Sequence, residues 1–157
     1  MLSLAAAFAH LRVEQDFPSE QVQPYLNAAE LAAARFMNRR VFADQASLNA
    51  AIGEVPDDLI SAGVAYAAAN NAAAAMTDLV AQRFAADFAA SRYQAAQIVS
   101  RETYAGIVLD DLISAGILLV LGHLFENREA VVIGATAVEI PMGAQYLWMP
   151  YRVDMGV

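Results

Sequence analysis

The sequence predicts a mainly α protein: a small helical bundle with a long helical hairpin, a short β-hairpin and an extended C-terminal tail. Three observations predict it. Apolar residues recur at three- and four-residue intervals in several segments, the signature of amphipathic helices. Ser or Asp stands immediately before several of those runs, where a side-chain oxygen can accept the unpaired amides of a first turn. Between Asp57 and Tyr104 there is no proline, and Gly63 is the one glycine in an alanine-rich stretch.

Residues 3–12, SLAAAFAHLR, read as a short helix capped by Ser3. A connector, VEQDFPSEQVQP, follows. Ser19 is a candidate cap for the second helix, but Pro24 belongs near a first turn and moves the expected start toward Gln23. From there Leu26, Ala29, Ala33, Phe36 and Met37 form one apolar stripe, with Glu30 and Arg35 off it. The helix is expected to end at NRR, where arginines oppose the negative end of the dipole. VFADQASLNAAIGEVP reads as a short strand-like piece and one or two helical turns from Asp44, closed by Pro56.

The next stretch is too long for one straight helix in a small domain. Thr77 and Asp78 mark a restart, giving a hairpin of about 57–75 and 78–104 that turns near Met76. Ala67, Ala68, Ala72 and Ala75 would let the backbones approach closely, with Tyr66, Phe84, Phe88 and Tyr93 as the larger contacts. Gly106 breaks the hairpin, and Asp110 caps a helix running to about Arg128. That helix is apolar on almost every side, which implies burial on all sides, at the centre of the fold or between subunits. AVVIG and TAVEI are short and β-branched and predict a hairpin about Gly134–Ala135. PMGAQYLWMPYRV reads as a turn or one helical turn, and an extended tail after Pro150. The whole is a single domain, 1–157, with an alanine-rich helical hairpin over about 55–105.

One internal echo stands out. GEVPDDLISAG (53–63) and GIVLDDLISAG (106–116) agree at nine of eleven positions, which points to a local duplication rather than a repeat architecture.

Composition narrows the function. The chain has 157 residues, 59% of them hydrophobic, with a net charge of −8. The apolar share exceeds that of a usual soluble monomer and suggests surface that a partner covers. All nine basic residues are arginine, and the acidic balance argues against binding driven by phosphate neutralisation. Cysteine is absent, so disulfides, thiolate catalysis and cysteine–zinc sites are excluded. MLSLAAAFAH lacks the basic region of a signal peptide, and Leu112–Phe125 falls short of a membrane span. No membrane segment is expected.

The polar cluster after the apolar run, His123, Glu126, Asn127, Arg128 and Glu129, has the look of an active site. His123 and Glu126 share a helix face, as a metal pair or an acid–base dyad would. A di-metal bundle, however, takes Glu-x-x-His from two helices, and here the order is reversed and the chain has two histidines in all. His123 instead continues the stripe Leu112, Ala115, Gly116 and Leu119, which makes it a core histidine bonded to Asn127 or Glu126. The carboxylate pairs Asp57–Asp58 and Asp110–Asp111 are each explained as helix caps. No phosphate loop, dinucleotide fingerprint or nucleophile elbow occurs. The residues alone therefore favour a non-enzymatic protein without cofactor or metal. A helical-bundle metal-binding enzyme and a helical scaffold protein are the alternatives.

The C-terminal residues carry a family resemblance. Gly122–His123–Leu124, Asn127–Arg128–Glu129, Val131–Val132, Pro141–Met142–Gly143 and Pro150–Tyr151–Arg152 resemble the C-terminal signature of tailed-phage head–tail connector (adaptor) proteins. HLRVEQD (10–16), YLNAAE (25–30) and NRRVF (38–42) are similar to that family's first two helices. The resemblance implies a structural virion protein of the neck, made in the bacterial host cytoplasm. It would form a twelvefold ring beneath the portal, pass DNA without sequence-specific binding, and dock a stopper or tail-completion protein. The candidate interface residues are His123, Asn127, Arg128, Glu129, Pro141, Met142, Gly143, Trp148, Pro150, Tyr151 and Arg152. Trp148 and Tyr151 are expected to anchor the tail in a partner's groove.

Overall fold

The computed structural model describes residues 1–127 and 142–154. It is mainly helical and divides into two compact units, 1–45 with 107–157, and 46–106.

The first unit is the bundle. Helix α1 (Leu4–Leu11) starts where Ser3 Oγ accepts the Ala6 amide at 3.2 Å. Helix α2 (Ser19–Met37) begins at Ser19, four residues before the expected start, and Pro24 lies inside it. Proline there removes one amide from the second turn, and its ring faces solvent, so the helix carries it. Asn38 closes α2 in the left-handed region (φ 54°), a conformation asparagine tolerates well. Helix α5 (Asp111–Glu126) starts as predicted, with Asp110 Oδ1 accepting the Ile113 amide at 2.8 Å.

The core joins three helices and the C-terminal segment. Phe8 of α1, Leu26, Ala33 and Met37 of α2, and Ile113, Ile117, Val120 and Leu121 of α5 are buried together with Trp148. Helix α6 (Met142–Trp148) and a 3₁₀ turn (Met149–Tyr151) complete it. Helix α6 thus stands where a turn or one helical turn was expected, and past Pro150 only Tyr151 is in the 3₁₀ turn, with no regular element over 152–154. Glu30, expected off the apolar stripe of α2, is buried, and its Oε1 accepts the Leu2 amide at 2.8 Å, fastening the start of the chain to α2. Strand β1 (Val41–Phe42) pairs in parallel with β2 (Ile107–Val108), a partner the sequence did not announce. The predicted hairpin about Gly134–Ala135 lies outside the described residues.

The second unit is the helical hairpin, with wider bounds than expected. Helix α3 runs Gln45–Ala74 straight through Pro56, and α4 runs Leu79–Tyr104. Pro56 does not close a short helix, and Asp57–Asp58 lie in mid-helix rather than at a cap. The expected restart at Thr77–Asp78 is there, with Asp78 as the cap of α4, its Oδ1 accepting from Val80 and Ala81 at 2.8 and 3.0 Å. The two backbone bonds hold the Asp78 carboxyl below its ordinary value. The helices meet through stacked Tyr66 and Tyr93, 5.2 Å between centroids. Ser100 and Thr103 are buried but return their hydroxyls to Ala96 and Val99 carbonyls. Alanine does line the seam, with Ala73 and Ala89 buried, but most of the expected alanines are not the ones that do so. Ala67, Ala68 and Ala75 are exposed, and Ala72 lines a cleft of about 420 Å³ between α3 and α4. Of the two phenylalanines expected as contacts within the hairpin, Phe88 lines that cleft while staying 59% exposed, and Phe84 is 76% exposed.

Candidate functional site: an interface at the end of the buried helix

Helix α5 has one buried face, not a buried circumference. Ile113, Gly116, Ile117, Val120 and Leu121 point inward, while Leu112 and Leu119 are 48% and 42% exposed. The stripe assigned to His123 is therefore displaced by one position. Leu112, Ala115 and Leu119 form the outer face, and His123 is half-buried at its C-terminal end. The anticipated partner is right: Asn127 Nδ2 lies 3.3 Å from His123 Nδ1 and donates to the His123 carbonyl at 2.9 Å. The Asn127 amide donates to the same carbonyl at 3.0 Å, so Asn127 caps the helix while orienting the imidazole. Asn127 and Glu126 are exposed.

Among the described residues no three His, Cys, Asp or Glu side chains are grouped to hold an ion. Asp110 and Asp111 are at the opposite end of α5 from His123 and Glu126, about 18 Å away at 1.5 Å per residue. His10 belongs to another contact: a Cβ on Gly122 would lie 3.3 Å from its Nε2, so Gly122 is where α1 and α5 come close.

The C-terminal candidates divide into packed and open residues. Trp148 is 2% exposed; its indole donates to the Ile113 carbonyl at 3.3 Å and tilts against Phe36. It is a core residue and cannot be the free anchor expected of it, because its large ring fills the space beside Gly116. Tyr151 is also engaged within the chain, its hydroxyl donating to Asp110 Oδ2. Arg152 lies over the Phe36 ring at 5.2 Å. The segment is strapped to the end of α2: Arg39 donates to the Tyr151 carbonyl at 3.2 Å, Asn38 Nδ2 to the Val153 carbonyl at 3.0 Å, and the Val153 amide to the Met37 carbonyl at 3.1 Å. Gly143 and Pro150 are exposed. Met142 opens α6; Arg128, Glu129 and Pro141 lie outside the described residues.

Sequence reasoning missed an exposed apolar stripe on α4, which ends at Phe88 on the edge of the α3–α4 cleft. Val80, Phe84 and Phe88 are 80%, 76% and 59% exposed. Their four-residue spacing was visible, but a two-helix unit gives no prior reason to choose which side of α4 faces in.

Comparison with protein families, with curated proteins and with solved structures finds no match to this chain. No helix among the described residues is long and apolar enough to cross a membrane.

Proposed function

We propose that this chain is a head–tail connector protein of a tailed bacteriophage, a non-enzymatic subunit whose ring extends the portal channel and receives a stopper or tail component. The observation that carries the reading is the outer face of α5: Leu112 and Leu119 stay about half exposed on the helix that ends in the resembling segment Gly122–Glu129. An apolar stripe on a central helix is a surface for a neighbouring subunit, and a ring buries it against a different patch on each neighbour. The net charge of −8 suits a conduit, since a surface of like charge does not retain phosphates.

The docking surface differs from the sequence expectation. Trp148 is committed to the core, so Asn127, Gly143 and Pro150 are the open candidates. Electron microscopy of the purified chain, alone and with the portal of the same phage, tests the proposal. Rings alone or rings on portal are expected, and Leu119→Glu is expected to abolish them without altering the circular dichroism spectrum. A chain that stays monomeric and leaves portal bare sinks it.

A further inference from the structure

We infer that the hairpin unit carries a second contact surface, on which α4 pairs antiparallel with α4 of another copy of this chain about a two-fold axis crossing at Phe84. The apolar stripe Val80, Phe84 and Phe88 is self-complementary in that arrangement. Phe84 meets its own counterpart, and Val80 meets the second copy's Phe88. Exposed large side chains at i, i+4 and i+8 form one continuous stripe along the helix.

The charges beside the stripe select this occupant. Arg83 and Asp87 flank Phe84 on one side of the helix, and Asp78 and Arg92 lie on the other, where the exposed Arg92 stands at the edge of the α3–α4 cleft. Arg83, Asp87 and Arg92 have no ion partner among the described residues. Asp78 uses Oδ1 for its cap and leaves Oδ2 unassigned. A two-fold axis preserves the side of the helix and reverses its direction. Arg83 then comes beside the second copy's Asp87, and Arg92 beside its Asp78. Both pairings occur in the same register, and the symmetry doubles each. A different protein would have to reproduce this pattern by chance, whereas a second copy supplies it necessarily. The stripe drives association, and the exposed ion pairs mainly set register and orientation.

This contact goes beyond the ring reading and does not depend on it. An isologous contact joins copies in pairs and cannot close a ring by itself, so either can fail alone.

Two measurements on the full chain decide it. The sequence has no cysteine, so Phe84→Cys introduces a single thiol. Under mild oxidation it is expected to form a disulfide-linked dimer at least about tenfold faster than Leu31→Cys, because the contact holds the two thiols at high effective concentration. Leu31 is a comparably exposed position in the other unit. A general ring contact between unlike patches does not bring residue 84 against its own copy. Second, R83D and D87R each put like charges in register and are expected to weaken self-association in sedimentation about tenfold or more. Mixing the two proteins restores opposite charges across the contact and is expected to recover association as a heterodimer. Equal oxidation rates for the two cysteine proteins, or a mixture no tighter than either variant alone, would overturn the inference. Both charged positions are exposed, so circular dichroism should be unchanged throughout.

Discussion

The indole of Trp148 lies directly on Gly116. A Cβ built on that glycine would stand 2.6 Å from Trp148 Cε2 and closer still to Nε1. The absent side chain makes room for the ring, and the ring's N–H in turn satisfies the Ile113 carbonyl one turn earlier. The C-terminal segment is thus keyed into α5 at a single missing methyl group.

Gly116→Ala should therefore destabilise the chain although alanine is the better helix former. The propensity gain is about 1 kcal/mol. Displacing an aromatic ring from a packed core costs about 1–3 kcal/mol, and the lost indole bond adds to it. Urea unfolding should show a lower midpoint, with a red shift in the emission of Trp148, the sole tryptophan. An unchanged midpoint and emission maximum would mean that α6 does not pack this way in solution.

Gly53→Ala should do the opposite. Gly53 lies inside α3 with nothing within 4 Å of an added Cβ, so only the helical preference acts. A gain of about 0.5–1 kcal/mol is expected. A loss in thermal or urea unfolding would argue that α3 is interrupted before Pro56.

The heptapeptide DDLISAG shows how far the sequence could be read. At 110–116 its first aspartate caps α5, its isoleucine is wholly buried and its glycine receives Trp148. At 57–63 the same letters lie in mid-helix, and Ile60 is 65% exposed. The difference is tertiary: a bundle surrounds one copy, while a two-helix unit holds the other. Local rules located Ser3 and Asp110 as caps, and the restart at Asp78, because capping is a short-range hydrogen bond. They misplaced Pro56 because a helix can tolerate one lost amide when packing on either side offsets it. Val55 beside it is 3% exposed. The Asn127–His123 bond was legible from four-residue spacing. The inward turn of Trp148 was not, because it depends on a glycine far back in the chain, at position 116.

Trp148→Ala is expected to cost about 3–5 kcal/mol, the usual loss for a large buried aromatic. Removing residues 148–157 should unfold the bundle rather than selectively weaken docking, since the Asn38, Arg39 and Met37 bonds to the strap go with it. Calorimetry on the truncated chain checks this. A cooperative transition near that of the full chain would restore the tail to the role of a free docking arm.

Tyr151 provides a test at alkaline pH. Its hydroxyl donates to the Asp110 carboxylate, and that bond, reinforced by partial burial and the nearby negative charge, favours the neutral phenol and raises it above its ordinary value of 10.0. The folded value exceeds the unfolded one, so the bond's contribution to stability is complete below the unfolded value of about 10 and disappears as pH rises through the folded value. Phenolate absorbance titrated for the native chain and for Tyr151→Phe should differ by one group with its midpoint above about 10. The stability gap between the two proteins, measured by urea unfolding, should close over the same interval. Asp110→Asn should bring that midpoint back toward the ordinary value, because the amide can still accept the bond but carries no charge to oppose phenolate. A difference midpoint at or below about 10 in the native chain would show that the 3₁₀ turn is not fastened to the α5 cap.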